Sequence, residues 1–400
     1  MIYLDNAATT RMAPQVREAM LPCLSERFGN PSSLYSLGTK RRATVDEARK
    51  AIGQILGADG EEIYFTGSGT EADNWALKSA ALDQKERGRH IITSKIEHHA
   101  VLHTCRYLEE QGYEVTYLDV DEWGIVKLSQ LERAIRRDTV LISVMAANNE
   151  IGTIQPLGKI GQIAGKHGIL FHTDAVQAFG QIPLPVKKLG ISLLSASAHK
   201  IYGPKGVGFL YIKKGVGLSS FIHGGAQEKG RRAGTENTAG IAGFGRAAEL
   251  AGEEMKERGE RERKLRDYLI RRVLGEIPYS RLNGHPLQRL PGNANFSFRF
   301  VEGEALLILL DMEGICVSTG SACTSGSSQA SHVLLALGLS DETAHGSLRV
   351  TLGRETTGAE IDRTVEAIKR NVAKLRSKSP GYADFLARQR PRGSSRGIRF

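Results

Sequence analysis

The sequence predicts an α/β protein with a mainly parallel sheet and a second, smaller α+β domain. Its 400 residues are too many for one hydrophobic core, so two domains are expected. Between residues 62 and 212, apolar strand-like runs alternate with helical segments, the pattern of a parallel sheet covered by helices on both faces. After residue 237 a long helical stretch leads into a different order of elements, which indicates the smaller domain.

The individual elements follow from apolar spacing and boundary residues. A short strand running into a polar turn at 3–10 precedes helices at 14–24 and 39–56, the second of which Gly57 ends. The large sheet has predicted strands at 62–66, 90–93, 114–118, 139–146, 169–173, 193–197 and 206–212, with intervening helices at 71–81, 100–111, 128–135 and 160–167. The small domain has predicted strands at 293–298, 314–317 and 347–351 and helices at 302–310, 331–337 and 359–375. We assign 13–260 to the large domain, 1–12 with 261–380 to the small domain, and 381–400 to a basic tail predicted to be disordered.

Composition narrows the class of protein. A hydrophobic content of 40% and a charged content of 24% are typical of globular proteins, and no apolar run reaches membrane-spanning length. The N-terminus lacks the basic and apolar regions of a signal peptide, and the four cysteines have no close metal-ligand spacing. We therefore predict a cytoplasmic protein with free thiols, no intrinsic metal site and no membrane partner.

The net charge of +10 is concentrated at the C-terminus. Residues 388–400 contain five arginines and no acidic residue, so the rest of the chain is only mildly basic. This favours a solvated tail over a nucleic-acid-binding protein. An RNA-associated protein that uses the tail is kept as the alternative from a different class.

Lys200 lies where a buried strand meets a turn of small residues, next to His199 and near Lys205. Neighbouring cations can lower the pKa of a lysine, and a neutral amine can form an imine with a carbonyl cofactor. A surface lysine in a Gly-Pro turn is an equally good interpretation of this stretch alone.

Two further stretches could help to bind a carbonyl cofactor that forms an imine with Lys200. The turn Gly67-Ser68-Gly69-Thr70 connects a strand to a helix, where backbone N–H groups can bind a phosphate, although a plain turn has the same pattern. Asp174 ends a buried strand and can face a ring nitrogen or cap a helix. A carboxylate and a lysine at one sheet edge match the requirements of pyridoxal phosphate, whereas the absence of a full glycine fingerprint disfavours a dinucleotide-binding dehydrogenase.

Other polar residues at strand ends are weaker candidates. His98 can stack on a flat cofactor and move protons, or be a solvated histidine at a helix start. Asn149 follows a long apolar strand, and Arg349 can bind a carboxylate with two parallel hydrogen bonds or form a surface ion pair. The stretch 230–237 is basic and hydroxylic, as a phosphate-binding loop or a helix cap would be.

Cys323 lies in a run of small residues from Ser318 to Ser328. Such a loop has little bulk to anchor it, so we predict a mobile nucleophile that can carry a group between sites. The other cysteines, Cys23, Cys105 and Cys316, lie within apolar patterns and are predicted to be core residues.

Taken together, these stretches resemble the cysteine desulfurases of the NifS/IscS type, among the class V aminotransferase-like pyridoxal phosphate enzymes. The resemblance runs from about Tyr3 to Leu375. It is carried, in order, by residues 3–10, 28–33, 69–71, 148–150, 172–177, 199–200, 231–237 and 321–326. It implies the pyridoxal phosphate-dependent transferase fold (fold type I) with a seven-stranded large-domain sheet, and a homodimer that removes sulfur from L-cysteine and releases L-alanine.

The resemblance also implies roles for individual residues. Lys200 carries pyridoxal phosphate as an imine, Asp174 pairs with its ring nitrogen, Gln177 with its ring hydroxyl, and His98 stacks on the ring and assists proton transfer. The implied phosphate ligands are Gly69, Thr70, Ser197, His199 and, from the partner subunit, Thr235. Asn149 contributes to cofactor and substrate binding.

The remaining roles concern the substrate and the sulfur. Arg349 holds the substrate carboxylate, and Cys323 takes the sulfur as a persulfide. Cys323 then passes it to an iron–sulfur scaffold or another acceptor protein, with which it can transiently ligate a cluster.

One position departs from the family pattern. Ala198 stands where the family has glycine, so either this position needs no positive φ or the local backbone is shifted. A selenocysteine lyase or a transaminase-type relative is the alternative within the same fold.

Overall fold

The computed structural model describes residues 1–319 and 330–389. The strands, in chain order, are β1 (Ile2–Tyr3), β2 (Ile63–Thr66), β3 (His90–Ser94), β4 (Glu114–Leu118), β5 (Thr139–Ser143), β6 (Leu170–Asp174), β7 (Leu193–Ser197), β8 (Gly208–Ile212), β9 (Ser280–Asn283), β10 (Asn293–Phe298), β11 (Ile315–Cys316) and β12 (Ser347–Thr351). The α-helices are α1 (Pro14–Leu24), α2 (Ser36–Leu56), α3 (Gly69–Asp83), α4 (His99–Glu110), α5 (Leu128–Ala134), α6 (Leu157–Lys166), α7 (Val186–Leu189), α8 (Thr238–Glu276), α9 (Gly303–Met312), α10 (His332–Ala336), α11 (Asp341–His345), α12 (Gly358–Ser377) and α13 (Pro380–Gln389). Short 3-10 helices cover Gly60–Glu62, Ala198–Lys200 and Gln227–Gly230.

The largest sheet has seven strands in the order β2-β8-β7-β6-β5-β3-β4. The five strands from β7 to β4 are parallel, and β8 is antiparallel to both of its neighbours. The central strands β5, β7 and β8 are buried throughout, as their near-continuous apolar runs predict. The predicted α/β class and the mainly parallel seven-stranded sheet are confirmed.

Two smaller sheets lie outside this layer. Strand β10 pairs antiparallel with β12 and β9, while β1 pairs in parallel with β11. The N-terminal segment also bridges to the small antiparallel sheet through Asp5 and Thr351. The first residues of the chain therefore run from the small sheets towards the large sheet.

The long helix α8 connects two hydrophobic cores. Its first half contributes Ile241 and Phe244 to the core of the large sheet, and its second half contributes Leu269 and Val273 to a separate core. That second core also contains Leu4, β10, β12 and α12. The two cores fit the predicted pair of domains, while the boundaries 13–260 and 1–12 with 261–380 stay a prediction.

The structure corrects the predicted disorder at the start of the C-terminal tail. Residues Pro380–Gln389 form α13, in which Tyr382 and Phe385 lie three residues apart on one side. The Phe300 ring centroid is 5.5 Å from that of Tyr382 and 5.0 Å from that of Phe385. Aromatic packing against Phe300 thus holds this segment on the fold, and residues 390–400 lie outside the described residues.

The described residues contain neither a membrane-spanning helix nor a cluster of metal ligands. Within 1–319 and 330–389, no helix is long and apolar enough to cross a membrane. In the same ranges, no group of three or more His, Cys, Asp and Glu side chains is arranged to hold a metal ion.

Candidate active site

Lys200 lies at the carboxyl end of β7, in the 3-10 helix that follows the strand. The buried residues of β7 fix the backbone of the strand. In the turn that follows β7, the Lys200 side chain extends towards the N-terminal segment. Lys200 Nζ donates to the carbonyl oxygens of Ala7 at 2.5 Å and Ala8 at 2.7 Å. The amine is therefore held at the sheet edge where ligands of α/β folds bind.

Asp174 is the last residue of β6, the strand next to β7, and its register partner is Ser195. Its side chain is buried, and Oδ1 accepts a hydrogen bond from the Val176 backbone N–H at 2.9 Å. Burial raises the pKa of Asp174, while His98 and Lys200 act to lower it. The structure thus brings these three predicted residues together at one sheet edge.

His98 caps the N-terminus of α4, where its Nδ1 accepts a hydrogen bond from the Ala100 backbone N–H at 3.1 Å. Burial lowers the pKa of His98, an effect that Asp174 opposes and Lys200 reinforces. Burial therefore favours the neutral imidazole, and because Nδ1 accepts the backbone N–H, its ring proton is on Nε2.

Gln177 and His199 approach the same N-terminal turn as Lys200. Gln177 Nε2 donates to the Ala7 carbonyl at 2.9 Å, and His199 Nδ1 lies 3.2 Å from Thr9 Oγ1. Burial, reinforced by the charge of Lys200, lowers the pKa of His199 to about 4, so this imidazole is also neutral at pH 7.

Gly69, at the start of α3, lies against the carboxyl ends of β6 and β7. A Cβ on Gly69 would lie 2.5 Å from Val176 Cγ2 and 3.6 Å from Ser197 Cβ, so only glycine fits here without a shift. Ser197 is buried, whereas Thr70 is exposed in the first turn of the helix. Backbone N–H groups at a helix N-terminus attract anions, so this cradle suits a phosphate.

Arg349 on β12 is the predicted substrate-binding arginine. It is buried, donating from Nη2 to Asp5 Oδ1 at 2.9 Å and from Nη1 to the Asn149 carbonyl oxygen at 3.1 Å. Thr235 is exposed in the segment before α8. Its predicted role towards a partner subunit stays a prediction.

Cys323 lies outside the described residues, and its predicted role as the mobile nucleophile stays a prediction. The chain is anchored on both sides of this segment. Backbone N–H groups and carbonyls of Ser318 and Arg349 are hydrogen bonded to one another at 3.1 and 2.7 Å, and Ser331 Oγ donates to Glu150 Oε2 at 2.5 Å. The described residues that flank this segment are therefore fixed to Arg349 on one side and to Glu150 on the other.

The other cysteines are placed largely as predicted. Cys23 and Cys105 are buried, whereas Cys316 is only partly buried. Burial raises the pKa of the Cys105 thiol, which makes it a poor nucleophile at neutral pH.

Sequence reasoning missed a row of buried polar groups behind Asp174. His172 Nδ1 lies 2.8 Å from Ser143 Oγ, and its Nε2 lies 3.0 Å from Ser195 Oγ and 3.6 Å from Asp73 Oδ1. Burial lowers the pKa of His172 to about 3 and raises the pKa of Asp73, an effect that Asp174 reinforces. The available signal was His172 two residues before Asp174, on the same face of a buried strand.

The carbonyl groups of Ala7 and Ala8 were also missed as partners of Lys200. They are main-chain atoms of alanines, and no side-chain pattern marks them. The sequence predicts a short strand and a turn at residues 3–10. It does not indicate which residues this segment contacts.

Known proteins of similar sequence belong to the enzyme class that this site indicates. Residues 2–364 match the family model described as aminotransferase class V, and the chain belongs to that family. A protein of Methanosarcina thermophila named cysteine desulfurase IscS is 56% identical over 379 residues, which cover 95% of this chain and 94% of the relative. A protein of the same name from Clostridium botulinum (strain Hall) is 53% identical over 387 residues, 96% of this chain and 98% of the relative.

Solved structures give the same grouping. A structure titled NifS-like protein has a TM-score of 0.88 and 40% sequence identity, covering 93% of this chain and 99% of that one. A structure titled SspA in complex with cysteine has a TM-score of 0.79 and 37% identity, covering 88% of this chain and 99% of that one. The predicted resemblance to the NifS/IscS-type cysteine desulfurases is confirmed. The fold type and the enzyme class that it implies are confirmed as well.

Proposed function

We propose that this chain removes the sulfur of L-cysteine with the help of pyridoxal phosphate, giving L-alanine and a persulfide on Cys323. The observation that carries the proposal is the placement of Lys200 and Asp174 at the ends of adjacent strands, with His98 beside the carboxylate. The names of the relatives supply the reaction class, and the structure titled as a complex with cysteine supports the substrate.

The residues present fit pyridoxal phosphate. Asp174 is a buried carboxylate that a protonated ring nitrogen would neutralise, and Lys200 is the amine that would hold the carbonyl carbon. Gln177 would pair with the ring hydroxyl, and His98 would stack on the ring face. The phosphate would be held by Gly69, Thr70, Ser197, His199 and the Thr235 of a second copy, with Asn149 contributing near the ring.

When bound, this cofactor supplies an electron-withdrawing ring that stabilises negative charge on the substrate carbon. The protein then has to position the substrate and move protons. Arg349 holds the carboxylate, Asn149 contacts the bound amino acid, and neutral His98 assists proton transfer by giving and regaining the proton on Nε2.

The sulfur step needs a thiolate, which we assign to Cys323. Its sulfur attacks the substrate sulfur, a sulfur–sulfur bond forms, and the carbon–sulfur bond breaks. The carbon keeps the electron pair of the broken bond and takes up a proton, which yields alanine. The persulfide then passes to an acceptor protein such as an iron–sulfur scaffold, with which Cys323 can transiently ligate a cluster.

The assembly and location are also proposals. A homodimer is supported by the exposure of Thr235, which leaves it accessible to a second copy. A cytoplasmic location is supported by the free thiols of Cys23 and Cys105 among the described residues.

The test is the visible spectrum of the purified protein with and without L-cysteine. We expect an absorption band of lysine-bound cofactor that Lys200→Ala abolishes and that the control Lys205→Ala, an exposed lysine of the same turn, keeps. Cys323→Ser should keep the band but stop sulfide release. Full activity of the Cys323 variant would rule out the sulfur-transfer role.

Product analysis separates the alternatives. Sulfide and alanine released in equal amounts from L-cysteine would exclude a transaminase. A strong preference for selenocysteine would instead favour a lyase. Salt-dependent RNA binding that is lost on deleting residues 388–400 would support the RNA-associated alternative.

A further inference from the structure

A small cavity lies beside Lys200 on the side that faces helix α8 and the small sheet. Its volume is about 40 Å³. Its lining residues include Lys200, Ala7 and Gln177 together with Glu262, Gly292 and Asn293. The cavity therefore connects the predicted cofactor lysine with a carboxyl group that the proposed function does not use.

Glu262 is 2% exposed, and its Oε1 lacks a hydrogen-bond partner within the described part of the chain. Its other oxygen, Oε2, lies next to the lining residue Gly292, 3.2 Å from where a Cβ on that glycine would be. The Nε of Arg258 lies 3.8 Å from Glu262 Oε1, too far for a hydrogen bond. Among the described residues the carboxyl therefore has no direct hydrogen-bond partner at Oε1, which leaves its cavity side for a ligand.

Water fits this requirement. A bound water needs a polar site and roughly 10–15 Å³, so the cavity has room for about three water molecules. Lys200, Glu262 and Asn293 are all among the lining residues. Polar side chains are therefore present for a short water chain.

We propose that Glu262 is a proton reservoir for Lys200, and that waters in this cavity carry the proton between them. This proposal rests on the proposed function in one respect. As the cofactor lysine, Lys200 has to gain and lose a proton in each turnover. In the forward direction the Glu262 carboxyl releases a proton to the water chain and the Lys200 amine takes one from it, leaving a carboxylate and an ammonium. The reverse transfer restores both groups, and no other reactant is consumed.

The charges around Glu262 come from several elements. Arg258 and Arg261 lie on the same helix, Arg354 follows β12, and Tyr202 follows the 3-10 helix that carries Lys200. Burial raises the pKa of Glu262 to about 7, although the three arginines act to lower it. Near neutral pH both protonation states are therefore populated, as a group that gives and takes protons requires.

Glu262 is a positioning and proton-holding residue, so its test needs a signal that a merely structural role would not change. The test variant is Glu262→Gln, which keeps the shape of the side chain and removes its titratable carboxyl group. The control is Glu260→Gln, at an exposed glutamate two residues away. In the resting holoenzyme, the pH titration of the visible band should shift in Glu262→Gln and not in Glu260→Gln. With L-cysteine, kcat at neutral pH should fall by about tenfold with a larger solvent isotope effect, while KM changes by less than about twofold.

Infrared spectra of holoenzyme labelled with ¹³C-glutamate provide a direct measurement of the protonated carboxyl. Because burial also raises the pKa of Glu97 and Glu150, the signal of Glu262 is the part of the band, present at pH 6 and lost by pH 9, that Glu262→Gln lacks and Glu260→Gln keeps. The same band intensity in wild type and Glu262→Gln at pH 6, or identical pH profiles for the two variants, overturns the proposal. If wild-type protein releases no sulfide from L-cysteine, the proposed function fails, whereas the infrared and visible titrations still decide the role of Glu262.

Discussion

Arg349 donates from Nη2 to Oδ1 of Asp5 at 2.9 Å, so the arginine expected to hold the substrate carboxylate already has a carboxylate partner. The two residues are 344 positions apart and meet because the N-terminal segment bridges to β12. Arg349 is only 3% exposed, and a buried guanidinium without a partner would be costly. Asp5 therefore keeps the arginine in place, and under the proposed function a substrate carboxylate would share or replace this contact.

Arg349→Lys should weaken substrate binding more than turnover. An ammonium cannot reproduce the two parallel N–H bonds that a guanidinium offers to a carboxylate. We expect KM for L-cysteine to rise by about tenfold, equivalent to about 1.4 kcal/mol, with a smaller change in kcat. Steady-state kinetics measures both parameters.

The control for this variant is Arg281→Lys, an exposed arginine on the neighbouring strand β9, which should leave KM unchanged. Asp5→Asn should lower KM, because it removes the competing charge and leaves Arg349 fully available. An unchanged KM in Arg349→Lys would show that the substrate carboxylate binds elsewhere.

The sequence could predict Lys200 and Asp174 as neighbours because both follow buried strands, and parallel strands deliver their carboxyl ends to one edge. It could not predict that Lys200 donates to the Ala7 and Ala8 carbonyls, since main-chain acceptors 192 or more positions away leave no side-chain pattern. Helix α13 escaped prediction for a different reason. Its ordering depends on rings from another part of the chain, which local composition does not reveal.

Glu97 predicts a pH dependence of stability. Burial raises the pKa of its carboxyl from 4.5 to about 8, although Ser94 and the Met145 N–H donate hydrogen bonds to it. The folded state therefore binds this proton more tightly than the unfolded chain. The resulting stabilisation is complete below pH 4.5 and is lost as the pH rises towards 8.

Glu97→Gln is neutral at every pH and should escape this loss. We expect the free energy of unfolding of the variant, relative to wild type, to increase between about pH 5 and pH 8. Urea denaturation at several pH values measures it, with Glu110→Gln, an exposed acid at the end of α4, as the control. A difference between variant and wild type that is constant with pH would contradict the buried, protonated state of Glu97.

Arg49 and Glu228 form a buried ion pair that ties α2 to the segment before α8. Arg49 Nη1 and Nη2 donate to the two carboxylate oxygens of Glu228 at 2.7 and 2.6 Å, and the Phe65 N–H donates to the same carboxylate at 2.9 Å. Glu228→Ala leaves a buried guanidinium uncompensated, so we expect a loss of about 3–5 kcal/mol in the free energy of unfolding.

Urea denaturation tests this prediction, with Glu249→Ala as the control. Glu249 pairs with Arg246 at 2.7 Å on the exposed side of α8, and such pairs contribute at most about 1 kcal/mol. If the two variants lose similar amounts of unfolding free energy, the buried Arg49–Glu228 pair contributes no more to stability than an exposed pair does.

Ala198, which replaces the family's glycine, has no positive φ and is buried in the turn that carries Lys200. The backbone therefore does not require glycine at this position, and the methyl group fills space next to Gly203. A Cβ on Gly203 would lie 2.8 Å from Ala198 Cβ and 2.7 Å from Ala198 O, so the two positions constrain each other.

Ala198→Gly should keep activity and destabilise the fold by about 1 kcal/mol, mainly through the greater flexibility of glycine in the unfolded chain. Gly203→Ala should cost about 3 kcal/mol, because an added methyl group overpacks the turn. The double variant should be less destabilised than the sum of the two changes, since it removes the contact between the two Cβ atoms but not the contact with the Ala198 carbonyl. Urea denaturation of all three variants measures this coupling, and strictly additive losses would show that the two residues do not share the same space.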